Sequence, residues 1–595
     1  MASRLAPLGI LASLFLGSAP GVAQDLLAIR DVTVIDGSGG AAIPSATVLI
    51  EGSRILAVSA DAMEIPRETR MVEGEGKFLI PGLWDMHTHL SKARSPALPL
   101  LVASGVLGVR DAGGDMAELQ RWESEIHADE RAGPRIVMAG PYLESPANVL
   151  RVLLAETVEP EERTRIPVDG PSDARRVVDS IAAAGADLVK VRTWRDLETF
   201  RAIAVTARER GLPLAAHVFG LPPEMLREGL VSSIEHFVEL PAAWTREERL
   251  DFYADLGEKG TVVVATLATF AESVLVMPES LAMAVENAEG VSAFLRADWR
   301  EQLADQSRGA VEGWRSYYPT VVESWREMRE AGMRLLPGSD LAVAGILPGA
   351  SLHRNLALMV EQVGLSPMEA IVAGTRHSAE YLGLSDSLGV IAPGMVADLV
   401  LLDADPLADI RNTARVAAVI QEGRLLDRAA LDSLSERALR DPAIVENDWL
   451  PRPATDELVE LRAHLEAIDA AGSASDVTAA LGTLESFEGA AKLPVGPTAV
   501  DNTIEAAVNR AGYRLLRAGD VAGAIEVFRV NADMFPTSAN AWDSLAEAHM
   551  ERGDRVRAIE HYRRSLELDP GNDNARERLE ALGAPEKGDG DAAAP

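Results

Sequence analysis

Six side chains able to ligate a metal ion occur in fixed order along this chain, each at the end of an apolar run that reads as a strand. They are His87 and His89 in PGLWDMHTHL, Lys190 in GADLVKVRT, His217 in GLPLAAH, His236 in SSIEHF and Asp340 in LLPGSD. A lone His-x-His carries little, because alternation along a strand puts any two such residues on one face. Six metal-competent side chains at strand ends are not explained by packing. Imidazoles and carboxylates suit a borderline divalent ion and leave a position open for water. The pattern points to metal-dependent hydrolysis.

The bulk composition narrows the donors and the partners. Cysteine is absent, which excludes disulfides, thiolate metal sites and a cysteine nucleophile. At 595 residues the chain exceeds one compact core, so two or three domains are expected. Hydrophobic residues make up 47% and charged residues 25%, as in ordinary globular protein. The net charge of −34 and a pI near 4.7 argue against a nucleic-acid partner or an anionic membrane surface. Residues 1–23 read as a secretory signal: Arg4 precedes the apolar LAPLGILASLFLG, and Gly21 and Ala23 suit cleavage before Gln24. No later apolar run is long enough to span a bilayer. The expectation is export as a secreted or periplasmic protein, with no membrane partner.

The elements that must position the six residues follow from periodicity. From Leu26 to Ile80, LLAIRDVTVIDG and ATVLIEGSRILAVS alternate apolar and polar residues between glycines, as strands do. A matching stretch returns at about 393–426, so segments 24–80 and 388–428 are expected to form one small β-sandwich. Between them, strand candidates at 83–89, 105–111, 134–140, 186–192, 213–217, 231–236, 260–267 and 333–340 alternate with helical patterns. The fold class is α/β, with a TIM-like (β/α)8 barrel over 81–387, whose chemistry sits at the carboxyl ends of the strands. Residues 268–330 add helices over the mouth, between the seventh and eighth strands.

The C-terminal part changes character. Residues 429–500 read as helices broken by LPRPATDE and KLPVGP. Over 501–582, Val508 and Trp542, Ala511 and Leu545, Gly519 and Gly553, Ala524 and Ala558, Phe528 and Tyr562, and Pro536 and Pro570 are each 34 residues apart. That period resembles the tetratricopeptide repeat. Helices at 456–470 and 474–489 read as a degenerate earlier unit, NARERLEAL as a cap, and 583–595 as a disordered tail. Stacked hairpins of this kind present concave surfaces. The domain is therefore expected to bind a protein partner or a second copy of the chain, with stabilisation of the barrel as the alternative.

Taken together, LIPGLWDMHTHL, GVLGVRDAGG, GADLVKVRT, AAH, IEH, PGSD and LGVIAPGMVADLVLLDADPL resemble the amidohydrolase superfamily. The resemblance is to its branch of imidazolonepropionase-like and Xaa-Pro or Xaa-Arg dipeptidase-like enzymes, and it covers about residues 26–428. It implies that His87, His89, Lys190, His217, His236 and Asp340 are metal ligands, and that Lys190 carries an N6-carboxylate bridging two divalent ions, zinc being the expected metal. Such ions, about 3.5–4 Å apart, would share a hydroxide and polarise the scissile carbonyl. A single-ion site built from the same histidines stays open. Asp340 would be the catalytic residue, taking a proton from water and passing it to the leaving amine.

Substrate contacts are expected from His353 in the loop after the eighth strand, Arg192 two residues beyond Lys190, and Tyr142 just past the third strand. Arg192 could hold a substrate carboxylate or pair with a neighbouring acid. His127, His464, His549 and His561 read as surface or packing residues, and His377 as structural. The substrate is a small molecule or short peptide, and the reaction is hydrolysis of a C–N bond in an amide, cyclic amide or small peptide. The alternatives are an ester, lactone or C–halogen bond at the same metals, or an inactive barrel carrying a protein-binding repeat domain.

Overall fold

The computed structural model describes residues 26–155, 164–192, 196–288, 291, 293–304, 306–440, 456–484, 493, 495 and 497–584. The expected leader at 1–23, the linker residues 450–455 and the tail from 585 lie outside these residues.

The flanking segments meet in one sheet, as expected. Strands β1 (Leu26–Val34), β2 (Ile43–Glu51), β3 (Arg54–Ser59), β4 (Arg70–Glu73) and β5 (Phe78–Pro81) come from the N-terminal side. They join three strands from beyond the barrel, Leu399–Leu402, Val416–Gln421 and Arg424–Asp427. The antiparallel register Leu399↔Pro81 to Leu402↔Phe78 joins the two halves. The sheet curls, because Ile55 donates to the carbonyl of Met395 and Ala397 to that of Ser53. Leu27, Ile29, Val32, Val48, Leu79, Leu399 and Ile420 fill its apolar core. The layered sandwich is thus made by a single eight-stranded sheet.

All eight expected barrel strands form. They are β6 (Leu83–Thr88), β7 (Val106–Asp111), β8 (Arg135–Met138), β11 (Val189–Val191), β12 (Leu214–Ala216), β13 (Ser233–Glu235), β14 (Val262–Ala265) and β15 (Leu335–Pro337). Every pairing between them is parallel. The ring closes where Asp340 N donates to His87 O at 2.8 Å, and where Asp187 N donates to Met138 O at 2.9 Å. Two short strands were not anticipated: β9 (Tyr142–Glu144) and β10 (Arg165–Pro167), which extend the sheet beside β11. Three-residue runs are too short to show a period in sequence.

The outer helices bury one stripe each. The helix Gly170–Ala183, for example, buries Ala174, Val177, Val178 and Ile181, the i, i+3, i+4, i+7 pattern of a core-facing helix. Helices Pro278–Asn287, Ala293–Ala304 and Arg308–Glu330 fill the stretch between β14 and β15, and Trp325 of the last donates its indole N–H to the carbonyl of His236 at 2.8 Å. They therefore cover the mouth. Among the described residues no single helix is long and apolar enough to cross a membrane.

The C-terminal helices Asp456–Ala470, Ala474–Leu484, Pro497–Arg517, Val521–Met534, Ala539–Glu551, Arg555–Leu568 and Asp573–Ala581 stack as hairpins. Ala524 and Ala558 are wholly buried, as are the rings of Phe528 and Tyr562, so the repeated small and aromatic positions are packing positions. One barrel helix joins them: Val149, Leu150 and Leu153, from the helix Pro146–Ala155 after β9, share an apolar core with Leu461, Val500, Ile504 and Val508.

Candidate metal centre

Parallel strands around a closed ring deliver their carboxyl ends to one rim. His87 lies on β6 and His89 one residue past it; His217, His236 and Asp340 follow β12, β13 and β15, and Lys190 lies within β11. The ring centroids of His87 and His236 are 4.8 Å apart, those of His217 and His236 4.6 Å, and those of His87 and His89 5.1 Å. Asp340 Oδ1 is 3.5 Å from His87 Nε2 and 3.3 Å from His89 Nε2. Two sets of ligand atoms, one from His87, His217 and His236 and one from His87, His89 and Asp340, each lie within 4.8 Å of one another. Residues separated by some 250 positions in sequence therefore converge as expected.

The convergence is held by unusual backbone. His236 has φ +70 and Asp340 φ +60, a region that costs a side-chain-bearing residue energy and clusters at functional sites. The packing leaves no slack. A Cβ on Gly338 would come within 2.7 Å of the His87 Cβ, so the residue before Ser339 and Asp340 has to be glycine.

The donor set fits a divalent cation. His217 Nε2 and His236 Nε2 face each other at 3.0 Å, two ring nitrogens aimed at one point. His87 Nε2 and Lys190 Nζ are buried without a hydrogen-bond partner, an expensive condition for polar atoms. Burial pushes the imidazoles down, His236 to about 4 and His87 and His217 well below their usual range, with Lys190 reinforcing the shift. Neutral imidazole is the form that binds metal. Burial lowers the Lys190 amine to about 8. Burial opposes ionisation of Asp340, but the rings of His87, His89 and His236 outweigh it and hold its carboxyl well below the usual carboxylate range.

Beneath the histidines lies a polar set that the sequence reading missed. Glu235 Oε2 is 2.6 Å from His87 Nδ1, and Arg110 donates to both Glu235 oxygens at 2.7 Å and to the Met86 carbonyl. Ser233 donates to Glu235 Oε1 at 2.6 Å. Asp85 accepts from the backbone of His87 and of Ser339, and burial raises its carboxyl to about 7. Thr266 lies 2.7 Å from His236 Nδ1. The available signal was a charged residue inside otherwise apolar strands, Arg110 in GVLGVRD and Glu235 in SSIEHF, since such a charge persists only when paired.

The expected substrate contacts divide. Tyr142 is brought to the site: its hydroxyl is 3.0 Å from His89 Nδ1, under the guanidinium groups of Arg165 and Arg192. Gly113, at φ +146, makes the room, because a Cβ there would lie 2.2 Å from the Tyr142 ring. Arg192 stands at the rim with its side chain 38% exposed, 3.9 Å from Glu144. His353 is a correction. It is buried, with Nε2 2.8 Å from the Ser104 carbonyl and Nδ1 3.0 Å from Thr413 Oγ1. Ser104 precedes β7, so this ring joins the amino-terminal end of the barrel to the returning segment and does not face the mouth. The helix Ala350–Leu358 turned it inward, and a loop-based reading could not see that. Beyond β12 and β13, aromatic rings pack beside the histidines: Phe219 lies 5.5 Å from His217 and 4.7 Å from Phe237, and Phe237 6.1 Å from Trp314 and Tyr317.

Comparison with known proteins agrees with this geometry. The family model described as "Amidohydrolase family" matches residues 78–426, and a tetratricopeptide-repeat model matches residues 539–572. The chain is similar to imidazolonepropionase of Cereibacter sphaeroides, 27% identical over 417 residues, covering 67% of this chain and 98% of that one. Among solved structures it resembles a prolidase complexed with N-methylphosphonate-L-proline, at TM-score 0.54 and 23% identity over 68% of this chain and 100% of that one. It also resembles A. niger ochratoxinase, at TM-score 0.53 and 20% identity over 68% of this chain and 96% of that one. These structural likenesses show the fold.

Proposed function

From a chain that belongs to the amidohydrolase family, and is therefore a metal-dependent hydrolase of C–N bonds, we propose a binuclear site that cleaves an amide in a small, carboxylate-bearing substrate. The observation that carries this reading is the convergence of His87, His89, His217, His236 and Asp340 beside the unpartnered Lys190 amine. His87, His89 and Asp340 would hold one ion, and His217 and His236 a second. An N6-carboxylate on Lys190 would bridge them, replacing a buried cation with an anion. Zinc suits this nitrogen- and oxygen-rich donor set. Bound there, divalent cations supply Lewis acidity and lower the pKa of water towards neutrality.

The chain's own groups supply the rest. The Asp340 carboxylate accepts the proton of the attacking water and returns it to the departing nitrogen. Glu235 fixes the His87 ring, and Tyr142 steadies His89. Arg192 offers a planar, two-pronged donor to a substrate carboxylate, and the Phe219 wall takes the apolar part. The relative named imidazolonepropionase and the prolidase holding a proline derivative favour a small nitrogen-containing substrate over a polymer.

Domain limits at 24–80 with 388–428 and at 81–387 are proposed from the family match; the expected division into 429–500 and 501–582 cuts the helix Pro497–Arg517, so the helical stack is proposed to begin at Asp456. Export after cleavage at Ala23–Gln24 is proposed from the apolar leader, and N-terminal sequencing of the secreted protein tests it. The central experiment is elemental analysis with a panel of dipeptides, N-acyl amino acids, lactams and esters, comparing the native protein with Asp340→Asn. Two metals per chain and hydrolysis of an amide, abolished in the variant, are expected. Full activity in Asp340→Asn would reject the proton role, and hydrolysis of esters alone would move the reading to another bond.

A further inference from the structure

The C-terminal stack holds a helix of the barrel, and that helix leads directly into the site. Val149, Leu150 and Leu153 of Pro146–Ala155 are at most 7% exposed and lie in one core with residues of the helical stack. Their spacing, i, i+1 and i+4, is that of an amphipathic helix laid into an apolar groove. Within the stack it contacts helices Asp456–Ala470 and Pro497–Arg517, the first helices of two successive hairpins, which themselves pack side by side. The guanidinium of Arg462 donates to the Leu153 carbonyl in the last turn of the helix at 3.3 Å.

From the other end of the same helix a polar path runs to the histidines. Asn148 Nδ2 donates to Glu144 Oε1 at 2.7 Å, and Arg165 donates to Glu144 Oε2 at 2.7 Å. The Arg165 guanidinium lies 5.1 Å over the Tyr142 ring, whose hydroxyl meets His89. All of these groups belong to β9, β10 and the helix that β9 feeds. That segment stands at the edge of the barrel sheet and pairs with β11 through Val191↔Leu143.

We propose that the helical stack takes the barrel helix Pro146–Ala155 as an intramolecular ligand, and that this docking sets the position of Tyr142 and Glu144 at the rim of the site. Leu150 and Leu461 are then positioning residues, acting through Tyr142. The inference rests on the site reading above only for its kinetic arm; the docking arm needs no substrate.

The test uses the full chain. Leu461→Asp places a charge in the groove from the stack side, Leu150→Asp from the helix side, and Ala147→Asp, on an exposed position of the same helix, serves as the control. Hydrogen exchange is followed in residues 142–155 and in β6, β12, β13 and β14. The expected result is at least a tenfold faster exchange over 142–155 in Leu461→Asp, with the barrel strands as protected as in the native protein and the control. With any substrate the native enzyme hydrolyses, KM should rise several-fold while metal content stays constant. Unchanged exchange over 142–155 in Leu461→Asp would overturn the docking, and a rise in exchange without a change in KM would overturn the positioning. Should Leu150→Asp fail to fold, Leu461→Asp decides alone. Loss of barrel protection in both variants would also overturn the proposal, because the stack would then be a structural prop. Failure of every substrate on the panel would fall on the functional reading and leave the exchange result standing.

Discussion

Glu235 Oε2 lies 2.6 Å from Nδ1 of His87, and both side chains are fully buried. This contact fixes the ring so that Nε2 turns towards Asp340, and it is anchored by the paired donors of Arg110. Carboxylates of this kind tune metal-binding histidines, and their loss typically costs 10- to 100-fold in metal affinity. Glu235→Gln should therefore weaken metal binding by roughly that factor, read by competition with a chromophoric chelator. It also leaves the Arg110 charge uncompensated, a change of about 3–5 kcal/mol in comparable buried pairs, so the melting temperature should fall. Native metal affinity in the variant would show that Glu235 serves Arg110 alone.

The bare Lys190 amine has no hydrogen-bond partner among the described residues, and burial lowers it to about 8, leaving a workable neutral fraction to react with carbon dioxide. Metal loading in 13C-bicarbonate should therefore introduce one labelled carbamate carbon per chain, visible by NMR and absent in Lys190→Met. Full metal occupancy with no label would leave lysine outside the ligand set.

The barrel and its rim were legible because both depend on periodic features. Eight apolar runs announced eight strands, and a polar residue at the end of a run marks the mouth. The candidate ligands His87, His217 and Asp340 stood out for that reason. What governs their orientation was not legible. Glu235 and Arg110 find each other across separate strands, and no spacing encodes a pairing between positions 125 residues apart. His353 misled because sequence placed it after β15 without showing that its helix turns the ring towards Ser104. The docking of Leu150 against Leu461 and Ile504 joins three distant segments, and its apolar pattern alone looks like any helix packed on its own barrel.

His353 carries a prediction about acid stability. Burial lowers its folded pKa from 6.5 to about 4, although the Ser104 carbonyl pulls the other way. Between those values the unfolded chain takes up a proton that the folded chain refuses, so stability falls as pH drops from 6.5 towards 4 and levels off below. The loss from this one group is roughly 3 kcal/mol. In metal-free protein, where the site histidines slope the same way, His353→Gln should flatten the decline in melting temperature over that window. Since the ring does not face the mouth, kcat/KM should stay close to native in the loaded enzyme. A large rise in KM would return His353 to the substrate.

Arg192 separates recognition of charge from catalysis. Its guanidinium stands 5.8 Å over the Tyr142 ring and 3.9 Å from Glu144, too far from that carboxylate for a hydrogen bond, with more than a third of its side chain open to solvent. A substrate carboxylate bound there would make charge-assisted contacts of about 1.5–3 kcal/mol, equivalent to about 10- to 100-fold in affinity. Arg192→Met should therefore lower kcat/KM by about that factor for a substrate with a free carboxylate, mainly through KM, and leave its carboxamide analogue nearly unaffected. After the neighbouring strand, Phe219→Ala should penalise substrates with aromatic or branched acyl groups and spare acetylated ones, since the ring packs against His217 and Phe237 and has no polar atom to contribute. Equal losses for the carboxylate and the carboxamide in Arg192→Met would assign Arg192 to the support of Glu144 and leave the charge of the substrate unread.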